Sequence, residues 1–517
     1  MRPTNEAETR RPPNRISGIL KSIGPGFILA GALVGSGELI ATTATGAESG
    51  FSLLWLIILG CVIKVFVQIE IGRQTISHSE SSLHALNNVP GPRINLPFKP
   101  LGKQVGVNWI VTCWLLMFTA TIFLFGGIIG GIGQSLAMTL PLTNEGQAFN
   151  TYQDEMVSLS IMKTRLSLTD DEQTRASLLR ESSSLETKLA QVTAPPASMD
   201  DRYWALIITL LTVVLLTFGK YRFIEKFALT LVGAFTLITI YNLFQLQSYP
   251  TWAIGSHELI DGLRFSLPKS VGENNPMITA LATFGIIGVG ASDLVAYPYW
   301  CLEKGYAKWT GKSDGSAEWE TRAKGWLRVL KWDAWSACVL YTFTTVAFYL
   351  LGAAVLGRIG LIPAGSEMIR TLAVMYAPVF GGGAQLLFLF GAIAVLYSTF
   401  FIGNAGHCRL ATDALCVLNL TKNRESTRAR WMKTFAITLP ILCVGTYYTV
   451  GSPVVLVLIG GVAQALLLPM VAFAALYFRH RRCPSALRPS RLWDVLLFAS
   501  FIAFSVVGIY LVYVNLS

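Results

Sequence analysis

Eleven runs of roughly 20 apolar residues occupy most of this chain, and at 1.5 Å per helical residue each is long enough to cross the hydrocarbon core of a bilayer. They lie near 23–48, 51–73, 107–138, 203–219, 227–246, 277–299, 333–356, 385–408, 433–449, 453–478 and 493–516. Lipid offers no partner for a bare N–H or C=O, so spans of this length fold as helices that satisfy their own backbones. With 52% hydrophobic and 14% charged residues and a mean hydropathy of +0.51, the chain is not an ordinary soluble protein. The expected fold class is an all-α membrane protein.

Charge in the connecting loops sets the expected orientation. Arg2, Arg10, Arg11, Arg15 and Lys21 precede the first run; Arg73, Arg93, Lys99 and Lys103 follow the second; Lys220, Arg222 and Lys226 join the fourth and fifth. Basic clusters recur after the sixth (Lys304 to Lys331), the eighth (Arg409 to Lys433) and the tenth (Arg479 to Arg491). Every second loop is basic, which by the positive-inside rule puts the N-terminus in the cytoplasm and the C-terminus outside a multi-pass cell-membrane protein. The net charge of +11 is then a topology signal, and no nucleic-acid partner is needed to explain it. Met1–Ser22 is polar and lacks a cleavage pattern, so 1–22 reads as a retained cytoplasmic tail.

Two runs break at glycine beside a carboxylate. One reads Gly35-Ser36-Gly37-Glu38 and the other Gly285-Ile-Ile-Gly288-Val-Gly290-Ala-Ser292-Asp293. Unwound backbone survives at membrane depth only where protein or a water-filled cavity completes its hydrogen bonds. Interrupted spans at matching places in two halves point to a transporter's binding site. The two halves are laid out as a first five-helix repeat, 23–246, and an inverted second repeat, 277–478, with 493–516 as an accessory eleventh span. Membrane lipid and a small ion or small-molecule substrate are the expected partners.

Residues 139–202 stand apart, with ten acidic and six basic residues. Thr169-Asp170-Asp171-Glu172 fits a capping box, and Leu178, Leu185 and Leu189 recur at near-heptad spacing. This predicts an extracytoplasmic helical hairpin, a solvated decoration or a surface for a partner or a second copy.

Several residues resemble a known family. Gly24-Pro25-Gly26-Phe27, the polar break at 35–38, Gly46-Ala47, Leu54-Trp55 and Gln68 are similar to the first two helices of the natural resistance-associated macrophage protein (NRAMP) metal transporters. Ser398-Thr399 with Ala405-Gly406 resembles the eighth helix, and Gln464 with Leu468-Pro469 the tenth. The resemblance implies a LeuT-like fold, two inverted five-helix repeats plus an eleventh helix, with a cation site between helices one and six.

The departures fall on the chemistry. Where the family carries Asp-Pro-Gly-Asn, this chain has Gly35, Ser36, Gly37 and Glu38; where it carries Met-Pro-His, Ser292, Asp293 and Leu294 stand. The soft thioether that favours transition metals is replaced by hard oxygen. The third helix, Phe118 to Gly127, has no carboxylate of the kind that passes protons in the family. The expected substrate-binding set is Gly35, Ser36, Glu38, Ser292 and Asp293, with Glu38 and Asp293 as ligands of magnesium, manganese or calcium. Each carboxylate also has a plainer role, capping the half-helix beside it.

Lys64 lies mid-span, too deep to snorkel easily, and is expected to pair with Glu38 or Glu48, or to stand in for a bound cation. Gln134, Asn404, His407 and Gln464 are candidate pathway-lining residues or interhelical hydrogen-bond formers. Tyr297-Pro298-Tyr299-Trp300 reads as an interfacial aromatic run. Gly305 to Ser313 resembles a phosphate loop but has five residues between its glycines instead of four, which leaves no cofactor motif and no sign of an enzyme. The leading expectation is alternating-access transport of a hard divalent cation. The alternatives are a LeuT-like relative carrying another small substrate and a non-transporting membrane scaffold.

Overall fold

The computed structural model describes residues 9–95, 106–168, 171–218, 221–268, 276–363, 365–421 and 424–516. Helix α1 (Ile16–Ser22) bends by 55° into α2 (Pro25–Leu33). Pro25 suits that start, since a first helical residue has no intrahelical use for an N–H. From α2 the chain runs through a π-helical stretch, Val34–Thr42, into α3 (Thr43–Ser49). This corrects the expected unwound first break: the backbone stays helical and widens by one residue per turn. Thr42 completes the widened turn by donating its hydroxyl to Gly37 O at 2.7 Å.

Next come α4 (Leu54–His78), α5 (Ser82–Asn87) and a short antiparallel ribbon, β1 (Arg93–Asn95) with β2 (Gly106–Asn108), Arg93 opposite Asn108. Asn108 caps the long α6 (Trp109–Thr139) by accepting the Ile110 N–H at 3.0 Å. Helices α7 (Asn144–Leu168) and α8 (Glu172–Gln191) pair through Lys163–Glu186 at 2.5 Å and Lys188–Glu155. Asp171 caps α8 by accepting the Thr174 N–H; Thr169, the expected cap, lies outside the described residues. Then follow α9 (Asp200–Phe218), α10 (Tyr221–Leu246), α11 (Ser256–Gly262), α12 (Pro276–Ile286), α13 (Ala291–Lys304) and α14 (Tyr306–Thr310). The 35-residue α15 (Ala317–Leu351) passes through a second π-helical stretch, Gly352–Gly357, and precedes α16 (Met368–Ala373) and α17 (Ala377–Phe380). Four long helices close the chain: α18 (Ala384–Val417), α19 (Glu425–Val450), α20 (Pro453–Tyr477) and α21 (Arg491–Leu516).

Among the described residues eight helices are long and apolar enough to cross a membrane, nine with the bent α1–α2 pair as one span. Two further expected spans correspond to the 26-residue helices α10 (Tyr221–Leu246) and α19 (Glu425–Val450). Helix α6 packs on α20, α9, α19 and α18, while α15 packs on α4 and on the α2–α3 span. Glycines let α6 approach its neighbours: a Cβ on Gly126 would stand 2.0 Å from Thr446 Oγ1, and one on Gly130 2.4 Å from the Tyr447 ring. One end of the bundle carries the N-terminal tail, where Trp326 Nε1–H donates to Arg10 O and the Tyr306 hydroxyl to Ser22 O. The other carries the α7–α8 hairpin.

Candidate binding site at the broken helix

The second break is a true interruption. Helix α12 ends at Ile286, α13 begins at Ala291, and Gly288 between them takes φ +61°. A side chain is strained at that φ, and a Cβ would meet Cys61 Cα at 3.0 Å, so the turn needs glycine.

Glu38, carried inward by the π-helical stretch, meets this break. Its carboxylate is wholly buried, and Oε1 accepts the Thr345 hydroxyl at 3.2 Å and the Gly288 N–H at 3.4 Å. Its Oε2 has no hydrogen-bond partner. Such an orphan costs about 1–3 kcal/mol or more for a charged group, and it marks a place where a ligand would gain.

Lys64 lies across the break, fully buried on α4. Its ammonium donates to Phe284 O at 2.5 Å, Ile287 O at 2.7 Å and Gly285 O at 3.4 Å, and lies 5.1 Å from the centre of the Phe284 ring. It makes no ion pair within 4.0 Å with Glu38 or Glu48, which corrects the expected salt bridge. The reason is local: carbonyls at the end of a half-helix lack amide partners and carry the negative end of its dipole.

Asp293 is the third residue of α13, half-buried, and its carboxylate interacts with the Gly290 N–H at that helix's start. The Ser292 N–H and hydroxyl both donate to Gln464 Oε1, at 3.3 and 3.1 Å, so Gln464 of α20 fastens the same turn. The Gly35 N–H donates to Thr399 Oγ1 at 3.1 Å. The Ser36 side chain lies outside the described residues.

The remaining candidates lie elsewhere. Gln134 is at the hairpin end, donating to Gly365 O at 3.1 Å and lining a small cavity of about 50 Å³ with Asn150, Asp200, Glu367 and Arg370. Asn404 and His407 bond to their own helix, at Phe400 O and Gly403 O, with His407 between the Phe118 and Phe125 rings. Tyr297, Tyr299 and Trp300 are buried instead of interfacial. Tyr297 and Tyr299 donate to Asp333 and Asp413.

Glu38 and Lys64 both reach the opened backbone of α12, and Asp293 stands at the start of α13, within electrostatic range of the ammonium. Among the described residues no group of three or more His, Cys, Asp or Glu could hold a metal ion, so any cation bound here would also need backbone oxygens.

A family model, natural resistance-associated macrophage protein-like, matches residues 196–514. The chain belongs to that family. The NRAMP-like chain also superposes on solved structures of the Eremococcus coleocola manganese transporter. One, in complex with an aromatic bis-isothiourea substituted compound, is 14% identical with a TM-score of 0.59, covering 98% of this chain and 89% of that one. A point mutant of the same transporter gives 14% and 0.59, covering 97% and 88%. At that identity the likeness is one of fold. No curated protein matches the chain. The NRAMP-like protein is thus a multi-pass, all-α membrane protein with the LeuT-like fold, in a family of metal-ion transporters.

Three site residues escape a reading of this NRAMP-like sequence. Thr345 and Thr399 look like ordinary span threonines, and only packing aims them at Glu38 and Gly35. Asp333 had a signal, a carboxylate at the edge of an apolar run. It is buried, and its oxygens accept the Gly24 and Gly26 N–H groups at 2.7 and 2.6 Å.

Proposed function

We propose that this NRAMP-like protein carries a hard divalent cation, magnesium, manganese or calcium, across the membrane by alternating access, with Glu38 and Asp293 as its charged ligands. The observation that carries this reading is the wholly buried Glu38 carboxylate, one oxygen bare, beside the opened backbone of α12. Carboxylate, hydroxyl and carbonyl oxygens suit a hard ion better than a soft one. The manganese transporter of like fold supports a divalent cargo. The acid-free stretch Phe118–Gly127 argues against proton coupling through α6. In this reading 23–246 and 277–478 are the two inverted repeats, the tail is cytoplasmic and the C-terminus outside.

Calorimetry of the purified protein against magnesium, manganese and calcium chlorides tests the site. The parent should bind at least one of them, and a folded Glu38→Gln protein should bind at least tenfold more weakly. A folded Glu38→Gln protein with parental affinity for every cation would refute the assignment.

A further inference from the structure

We propose that Lys64 is a tethered cation, a built-in competitor that occupies the substrate's backbone oxygens whenever the carrier is empty; this rests on the cation site at Glu38 and Asp293. The ammonium has three protons to donate, and three carbonyls of one backbone turn, Phe284, Gly285 and Ile287, receive them. Those oxygens are free because α12 stops there and the Gly288 N–H has turned to Glu38. In transporters built on broken helices, such half-helix ends and unwound carbonyls are where cations are held.

Lys64 has no other place to put its charge. It lies ten residues from Leu54 and fourteen from His78, so about 15 Å of helix separates it from the nearer end. The lysine is therefore committed to the site at every stage that leaves α4 in place.

Charge counting gives it a role. Glu38 and Asp293 contribute two formal negative charges and Lys64 one positive, so the empty site carries one uncompensated charge instead of two. A divalent ion neutralises both carboxylates only if the ammonium leaves the carbonyls. Lys64 thus weakens cation binding and, in return, lets the empty carrier reorient without exposing two bare carboxylates to low dielectric. The stretch Phe118–Gly127 of α6 carries no acid that could take up a proton for that task. Lys64 is then a specificity-determining residue, setting both affinity and the ease of the empty return.

The test pairs two measurements on Lys64→Met, with Lys64→Gln as the second variant should the first fail to fold. Manganese and magnesium affinities are measured by calorimetry. Proteoliposome flux is measured as net uptake into manganese-free vesicles and as exchange into manganese-loaded ones. Removing the ammonium should tighten binding at least tenfold, and should lower net uptake at least fivefold relative to exchange. A merely structural lysine would change both fluxes together. If parent and variant bind equally and share one ratio of net uptake to exchange, while Glu38→Gln binds weakly, the tethered-cation idea is overturned and the cation site stands. If neither parent nor variant binds a divalent cation, the cation site itself fails and the proposal falls with it.

Discussion

Tyr297 donates its hydroxyl to Asp333 Oδ2 at 2.9 Å, tying the second half of the broken helix to α15. The same carboxylate accepts the Gly24 and Gly26 amides at the start of α2, so one buried side chain holds both α2 and α13 at the tail end. Lys304 adds a bond to Ile23 O at 3.3 Å and Tyr306 one to Ser22 O at 2.9 Å.

Asp333→Asn weakens this latch. A hydrogen bond to a charged group contributes about 1.5–3 kcal/mol, and at least two are lost or impaired, so the closed tail end should lose about 3 kcal/mol. Cys301, fully buried on α13, reports the change. Its maleimide labelling, read by mass spectrometry, should rise severalfold in the variant. Unchanged labelling would show that Asp333 does not hold this end shut.

Arg370 plays the matching part at the hairpin end. It is 5% exposed and pairs with Glu367 at 2.9 Å, with Asp154, and with Asn150 Oδ1 at 3.0 Å, joining α16 to the base of α7. Asp154 is half exposed, so the pair is partly screened and its loss should cost about 2 kcal/mol, below the range for fully buried pairs. In Arg370→Ala, hydrogen exchange across Met368–Ala373 should quicken while α4 keeps its protection. Equal protection of Met368–Ala373 in parent and variant would rule out the tie.

The break itself offers a matched comparison. Gly288→Ala forces a side chain into a left-handed conformation at about 1–2 kcal/mol and crowds Cys61, so the melting temperature should fall by several degrees. Gly445 on α19 has nothing within 4 Å of the Cβ it would gain. Gly445→Ala should leave stability unchanged or raise it by up to about 1 kcal/mol. Equal effects at the two positions would contradict this account of the turn.

His84 supplies a pH dependence outside the spans. It contacts Asp413 Oδ2 at 3.3 Å, and that hydrogen bond, against partial desolvation, raises the imidazole above its ordinary value near 6.5. Asp413 also accepts from Ser81 and Tyr299 and pairs with Arg428, while Glu80 adds to the field around the ring. A group raised on folding stabilises fully below its unfolded pKa and loses that contribution as pH climbs through the folded one. The stability difference between parent and His84→Gln should therefore be greatest below about pH 6 and fade toward pH 8. A difference that stays constant with pH would remove His84 from the titration.

The second break was plain in the sequence because Gly285, Gly288 and Gly290 crowd into an apolar run and Asp293 follows. The first looked alike on paper yet stayed helical, since a π-helical stretch turns Glu38 inward without unwinding anything. Lys64 stood out as a charge in the wrong place, but its acceptors are peptide carbonyls, and no residue letter announces those. Gln134 and His407 share the polarity of pathway residues, yet Gln134 Nε2 and His407 Nδ1 bond to the backbone carbonyls of Gly365 and Gly403.

Composition and spacing alone determined that the chain lives in lipid, that it is helical, and that α12 and α13 part company. Those outcomes follow from solvent exclusion and local backbone preference, which act on neighbouring residues. Which groups meet at the gap was decided only by tertiary packing. Glu38, Lys64, Gly288, Thr345 and Gln464 come from separate elements, and their partners depend on how those helices lie against one another. In a bundle where an unmatched buried polar atom is costly, that placement decides whether a charge faces another charge or an open backbone.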